Sequence, residues 1–372
     1  MNRLQALRDS GVSIWLDTLS RELLEDGGFA ELVADYAVTG ATSNPTIFAK
    51  AITHSDRYDG QLRAGVAGGV RDPQKLFFEL ALDDVAWAAD LLRPVHDESD
   101  GRDGFVSFEC TPDVANDTPA TIEQAVELWE RLARPNVMIK VPATEAGIPA
   151  IEELTARGVN VNVTLLFSLA RYEQVIDAYM GGLERRQSAG EPLHAIASVA
   201  SFFVSRVDAK VDPLLPGDSD LRGRVATANA RLAYARYLDR FSEDPSLADE
   251  RWRDLRAAGA RPQRPLWAST GTKDRAYPDV LYVEGLITPG AVNTMPEATL
   301  RAFADHGSVE RIHPVAGLSG RVLRRAQQAG IDLDAITREL ELEGVDAFCD
   351  SYHELLDCIE AKVNSLTPAG AR

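Results

Sequence analysis

Lysine is scarce in this chain: six lysines, at 50, 75, 140, 210, 273 and 362, stand among 39 basic residues. Lys140 lies inside an apolar run, Val137-Met138-Ile139-Lys140-Val141. A lysine there loses hydration when charged, which favours the neutral amine. A neutral amine can attack a ketone, and the resulting iminium is an electron sink for breaking a neighbouring C–C bond. Other polar residues share this setting. Asp17 ends Ser13-Ile14-Trp15-Leu16, Asn44 follows Ala41-Thr42-Ser43, and Glu109 ends Phe105–Phe108. Asn162 and Thr164 alternate with apolar residues in Val161–Leu165. Two carboxylates in different environments can divide acid and base work. The six histidines (54, 96, 194, 306, 313 and 353) carry no HExxH-type spacing, so the sequence offers no evident metal site. Class I aldol chemistry on a lysine Schiff base is the natural reading of such a set.

These residues can meet only if the apolar runs are strands of one sheet. Strands are expected at Ser13–Asp17, Ala41–Ser43, Phe105–Cys110, Val137–Val141, Val161–Phe167, Ala195–Phe203, Leu266–Thr270 and Val280–Ile287. Helical patterns lie between most of them. Thr118 and Pro119 suit the N-cap and first position of a helix with Ile122, Ala125, Val126, Trp129 and Leu132 on one face. Ser168 can cap another, carrying Tyr172, Val175, Ile176 and Tyr179, which Gly181 can end. Strands alternating with helices indicate a parallel sheet, and eight such units an α/β fold closed as a (β/α)₈ TIM barrel. A barrel turns alternate strand residues inward and builds its site at the C-terminal strand ends. Segments outside the barrel are an N-terminal helical piece, an insertion near 52–71, a polar stretch around 241–264 and a C-terminal helical tail from Val315. The piece Gly259–Pro265 reads as a loop. With no repeat or linker, residues 1–372 are expected to form a single domain.

Composition restricts the partners. The formal net charge of −18 argues against a nucleic-acid backbone or an anionic membrane. No apolar run approaches the roughly 20 residues that span a bilayer, and the first ten residues lack a signal-peptide core. Three cysteines without a CxxC pair fit a reducing compartment, so a cytoplasmic protein is expected. An anionic substrate would need a concentrated local cation.

Several segments, in order, resemble the transaldolase family. They are Trp15-Leu16-Asp17, Gly-Ala-Thr-Ser-Asn-Pro-Thr at 40–46, Met-Ile-Lys-Val-Pro-Ala-Thr at 138–144 and Asn-Val-Asn-Val-Thr-Leu-Leu-Phe-Ser at 160–168. Ser201–Arg206 and Gly271-Thr272-Lys273 fit the same family, and Gly285–Pro296 is similar to its longer bacterial members. The resemblance implies transfer of a dihydroxyacetone unit between sugar phosphates, in the non-oxidative pentose phosphate pathway, with no cofactor and no metal. It implies Lys140 as the Schiff-base lysine and Asp17 as the acid/base at the substrate C4 hydroxyl. It implies Glu109 and Thr164 as the pair holding a catalytic water. Asn44 and Asn162 would hold the dihydroxyacetone hydroxyls, Ser201 and Arg206 the phosphate, and Phe203 would stand beside the water. Thr42 and Ser269 join the substrate side. The shorter members carry Ala-Ser-Phe-Arg after the seventh strand, with the arginine on phosphate. Here the run is Ala268-Ser269-Thr270-Gly271-Thr272-Lys273, so Lys273 is expected to substitute, with Arg275 next.

Plainer roles exist for each residue. Lys140 could snorkel to water, and Asp17 or Glu109 could cap helices. Asn162 and Thr164 could satisfy each other. Arg206 could pair with Asp208 or Asp212, and Lys273 could be a solvated loop residue. At the level of function, a simple aldolase releasing dihydroxyacetone and a non-catalytic sugar-phosphate sensor are the competing readings. The expected partners are small sugar phosphates, with no nucleic acid or membrane, for a monomer or homodimer.

Overall fold

Parallel strands covered on both faces are near-continuous apolar runs, and that is how this chain spells them. In the computed structural model, which describes residues 3–244, 247, 249–310 and 316–366, eight parallel strands close into a barrel in chain order. They are β1 (Ser13–Leu16), β2 (Val38–Thr42), β3 (Val106–Glu109), β4 (Val137–Pro142), β5 (Val161–Leu166), β6 (Ser198–Phe203), β7 (Arg264–Ala268) and β8 (Val292–Met295). Helices separate consecutive strands, giving the expected (β/α)₈ barrel. The register sets residues from adjacent strands side by side: Glu109 with Lys140, Lys140 with Asn162, and Pro142 with Thr164. Close strand approach also demands glycine at position 40, where a Cβ would stand 2.4 Å from the Trp15 indole.

The eighth strand is not at Val280–Ile287. Leu281–Gly285 is a short helix, and β8 follows the turn at Pro289-Gly290. The buried positions Val280, Tyr282, Val283, Leu286 and Ile287 recur at helical rather than alternating spacing. Gln263 precedes a seventh strand that already includes Arg264 and Pro265, so the expected loop ends two residues early. Asp117, not Thr118, caps the helix Thr118–Leu132, accepting from the Ala120 N–H at 3.0 Å; the Thr118 hydroxyl donates to Ala146 O instead. Ser168 does cap the helix Leu169–Ser188, accepting from Arg171 N at 3.1 Å. That helix runs through Gly181 and Gly182, which let it pack against Glu152 and Thr155 of the preceding helix.

The additions outside the barrel are helical: Arg3–Asp9 at the N-terminus, Pro45–His54 and Asp59–Ala67 in the insertion, and Glu250–Ala257 in the polar stretch. The tail forms Ala316–Gln328 and the 34-residue helix Leu333–Leu366; Val315 lies outside the described residues. At 1.5 Å per residue the last helix is about 50 Å long, enough to cross the barrel mouth. Arg171 grips its Glu341 through two nitrogens at 3.1 and 3.2 Å. Lys210 pairs with Glu339 at 2.9 Å and Glu343 at 2.5 Å, and Thr46 donates to Ser351 at 2.8 Å. None of the described helices is long and apolar enough to cross a membrane.

The short helix after β6, Ser205–Val211, is fixed by two buried carboxylates. Asp208 accepts from the Ala226 N–H at 2.8 Å and the Tyr282 hydroxyl at 3.1 Å. Asp212 accepts from Gly223 N at 3.1 Å and the Tyr277 hydroxyl at 2.7 Å. Burial pushes Asp208 up to about 7, against the Ala226 N–H and with help from the Asp212 charge. Its folded value lies above the unfolded one, about 3.9. The folded state therefore binds the extra proton, and this group's contribution falls as pH rises between those values. Each unit of separation corresponds to about 1.4 kcal/mol. Asp208→Asn removes that dependence while keeping a side-chain acceptor. In thermal melts across this interval, wild type should lose Tm relative to Asp208→Asn as pH rises; parallel curves would show that Asp208 does not titrate there.

Candidate active site

The C-terminal strand ends open into a cavity of about 160 Å³. Asp17, Thr42, Asn44, Lys140, Thr164, Ser201, Phe203, Arg206, Ser269 and Lys273 line it. Of the site residues expected from the sequence, Glu109 and Asn162 alone are outside this lining. Two larger hollows lie elsewhere: a surface groove along Glu152, Asp177 and Glu184, and a cavity at the opposite barrel end around Ser13 and Arg264. Size does not identify the site; convergence of titratable groups does.

Lys140 and Glu109 are both buried, at 7% and 9% exposure, and form an ion pair at 2.9 Å. Lys140 Nζ also donates to the Ser43 carbonyl at 2.8 Å. The amine is therefore anchored and paired, not a lone charge reaching for water. Reasoning from desolvation alone omitted this countercharge. Burial pushes the Glu109 carboxyl up, opposed by Lys140 and reinforced by the charge of Asp17. Glu109 Oε2 and Thr164 Oγ1 have no hydrogen-bond partner among the described residues. Both residues line a small void of about 10 Å³ beside the main cavity.

Asp17 follows β1 directly and accepts from the Thr42 hydroxyl at 2.8 Å. Since that proton is committed, the 2.8 Å contact between Thr42 and Thr294 has Thr294 donating. Burial raises the Asp17 pKa; Lys140, the Thr42 hydrogen bond and Lys273 each oppose the rise. Asn44 caps the helix Pro45–His54 through its Oδ1, which accepts from Ile47 N at 3.0 Å, so its amide N–H groups are what it can offer the cavity. Asn162 is fully buried among the strands. Its amide donates to Ser107 at 3.0 Å and accepts from Ser201 at 2.6 Å, so it pairs with serines rather than with Thr164.

At the other side of the cavity, the Arg206 guanidinium lies 5.4 Å from the centre of the Phe203 ring. Asp208 and Asp212, its suspected partners, are committed to Tyr282 and Tyr277. Burial lowers the pKa of Arg206, with Glu343 opposing. Lys273 is exposed by surface area, yet its pKa is also lowered, by desolvation and then by repulsion from Arg206, with Asp17 opposing. Two cations thus face the same space, the arrangement an anion would relieve. Arg275 is exposed and outside the lining. Two residues near this end hold left-handed backbone, Leu165 at φ 57° and Ser269 at φ 55°, a strain typical of functional sites. Among the described residues no group of three or more His, Cys, Asp or Glu side chains could hold a metal ion.

Sequence reasoning missed Thr294, the Ser43 carbonyl, Ser107 and Phe348. Thr294 was hidden by the misplaced eighth strand. Ser107 lies two positions before Glu109 on the same strand face, but a small serine in an apolar run gives little signal. Phe348 lies on the C-terminal helix with no local signal of its own.

The family profile described as "Transaldolase/Fructose-6-phosphate aldolase" matches residues 14–359. A transaldolase of Thermobifida fusca is 49% identical over 98% of this chain and 99% of its own length. One from Saccharopolyspora erythraea is 49% identical over 98% of both, and one from Acidothermus cellulolyticus 50% identical over 95% and 94%. The chain belongs to the transaldolase family. It is an enzyme, a transferase with transaldolase activity.

The charge pattern gives a test on that activity. Lys273 helps hold Asp17 down, so Lys273→Met should raise the Asp17 pKa. If ionised Asp17 is required, the acidic limb of kcat/KM for transaldolase turnover should move to higher pH. An unmoved limb would show that Asp17 does not govern it.

Proposed function

We propose that this chain transfers a dihydroxyacetone unit from sedoheptulose 7-phosphate or fructose 6-phosphate to glyceraldehyde 3-phosphate or erythrose 4-phosphate. The unit is carried as a Schiff base on Lys140, and the reaction belongs to the non-oxidative pentose phosphate pathway. The observation that carries this reading is one buried amine flanked by two carboxylates of raised pKa, the buried Glu109 at 2.9 Å and the half-buried Asp17 across the cavity. Lys140 passes a proton to the paired Glu109, and the neutral amine so formed attacks the donor ketone. Loss of water then gives the iminium. Asp17 takes the C4 hydroxyl proton as the C3–C4 bond breaks, the iminium accepts the electron pair, and the aldose phosphate leaves. The acceptor aldehyde reverses these steps, its oxygen taking the proton from Asp17.

Glu109 and Thr164 hold the water that forms and hydrolyses the imine. Their unpartnered oxygens and the void of about 10 Å³ between them support this, since that is roughly the space one water needs in a polar site. Asn44 serves the dihydroxyacetone end, and Asn162, buried behind the lining, positions Ser201 rather than touching substrate. Thr42 orients Asp17. Arg206 and Lys273, with Ser201 and Ser269, hold the phosphate, and Phe203 supports Arg206. No cofactor is needed, because the iminium is itself the electron sink. The protein works in the cytoplasm as a monomer or homodimer on small sugar phosphates.

Borohydride reduction with fructose 6-phosphate, followed by mass spectrometry, tests the covalent step. A reduced three-carbon adduct is expected on Lys140 and absent in Lys140→Ala; an adduct on another lysine would overturn the assignment. Asp17→Asn should keep imine formation yet lose roughly 10²–10⁴-fold in turnover, the usual contribution of a general acid/base. Equal loss of trapping and turnover would assign Asp17 to binding or folding instead.

The phosphate assignment is tested by contrast between substrates. Arg206→Ala should raise KM for fructose 6-phosphate roughly 10- to 100-fold, the worth of one charge-assisted interaction. KM for unphosphorylated fructose should change little. A similar rise for both would mean that Arg206 shapes the site rather than holding phosphate.

A further inference from the structure

One wall of the cavity does not come from the barrel. Phe348, on the helix Leu333–Leu366, lines the same space as Lys140. It also lines the small void beside Glu109 and Thr164. The ring is half-buried, so part of it faces the open space. Its neighbours hold it there. Val345, one turn earlier, is buried and lines the same void. Gly344 lies so close to β5 that a Cβ would stand 2.9 Å from Leu165 Cδ2. The Arg171–Glu341 pair and the Thr46–Ser351 hydrogen bond pin the helix on either side.

We propose that Phe348 is a specificity-determining residue that closes the Glu109–Thr164 side of the cavity to bulk water and so favours transfer over release of dihydroxyacetone. The proposal rests on the Schiff-base reading above. After the first aldose phosphate leaves, the enzyme holds an enamine that has two fates. In transfer, its carbon forms a C–C bond to the acceptor aldehyde, whose oxygen takes a proton. In release, that carbon takes a proton instead, and water adds to the resulting iminium carbon. The C–N bond then breaks, giving dihydroxyacetone and the free amine. Both fates need only protons and water. Release alone discards the unit before an acceptor arrives. An aromatic ring has no strong donor or acceptor to order water, so it excludes solvent while leaving a void for a single molecule.

The test compares wild type, Phe348→Ala and Phe348→Leu with fructose 6-phosphate, with and without erythrose 4-phosphate. Free dihydroxyacetone measures release and sedoheptulose 7-phosphate measures transfer. Phe348→Ala should raise the release-to-transfer ratio roughly tenfold, the low end of what an apolar pocket contact contributes to discrimination. Phe348→Leu, which keeps an apolar side chain and is the gentler change for folding, should raise it less. An unchanged ratio in both variants, with borohydride trapping at Lys140 intact, overturns the proposal. So does an equal rise in Glu341→Gln, which loosens the helix without touching the cavity. Absence of any adduct on wild-type Lys140 overturns the Schiff-base reading itself, and this proposal with it; that result is read from the trapping arm alone.

Discussion

A charged amine inside a closed barrel needs a countercharge, and the Lys140–Glu109 pair at 2.9 Å supplies it. Removing either partner would leave the other buried and unpaired, a loss of several kcal/mol, about 3–5 in typical cases. The pair dictates strand order, because the two residues are register partners on β3 and β4. A slip of one residue would turn one of them to the opposite face. The rest of the site follows from that register. Asn162 lies opposite Lys140 on the next strand and ties Ser107 to Ser201, so four strands, β3 to β6, are linked by polar contacts. Asp17, which feels the charges of Lys140 and Glu109, is set by Thr42 and Thr294 from β2 and β8. One amine therefore organises two carboxylates, each raised by burial and each lowered by the same cation.

The opposite end obeys a different constraint. The chain carries a net charge of −18, yet Arg206 and Lys273 repel each other across the cavity. Such proximity between like charges costs stability unless an anion relieves it. The fold holds the two apart from their natural partners. Asp208 on the helix that carries Arg206 and Asp212 at its C-terminal end have their oxygens committed to Tyr282, Tyr277 and backbone N–H groups. Tyr277 belongs to the connection after β7 that also carries Lys273. Its bond to Asp212 thus ties the two cation-bearing segments together while denying the carboxylate to either cation.

Much of this was legible in the sequence, for a physical reason. In parallel strands covered on both sides, a polar residue is out of place unless it is used, so Asp17, Asn44, Glu109, Lys140, Asn162 and Thr164 stood out. Alternation then assigned them to the barrel interior or its rim. The failures are equally physical. A four-residue strand such as Val292–Met295 has no periodicity to detect, while Val280–Ile287 has an apolar density that mimics a strand. Gly181 was mistaken for a helix end because a glycine needed for close helix packing and one needed for a left-handed cap look alike in sequence. Neither the Ser43 carbonyl nor the two committed faces of Asn162 could be read, since backbone acceptors carry no sequence label. Phe348 was invisible because its place in the cavity wall depends on where a helix crosses strand ends that are distant in the chain.

That crossing bears on how an open barrel end is shielded from water. The strand ends supply most of the cavity lining, but a (β/α)₈ barrel by itself leaves them facing solvent. Here the last helix lies across the mouth, pinned by ion pairs from two barrel helices and by a hydrogen bond to a third. The space beneath is divided by size: a cavity of about 160 Å³ reaches Lys140, while the voids beside Glu109 are of about 10 Å³. Only the larger has room for more than about one water. The void beside Glu109 and Thr164 has room for about one water, and Val345 and Phe348 of the last helix wall it in. The helix's side of this wall is apolar packing, and an apolar wall brings no hydration of its own, whereas each charge there would. The tail helix is accordingly part of the architecture of the candidate site, since Phe348 walls both the cavity and the void beside it.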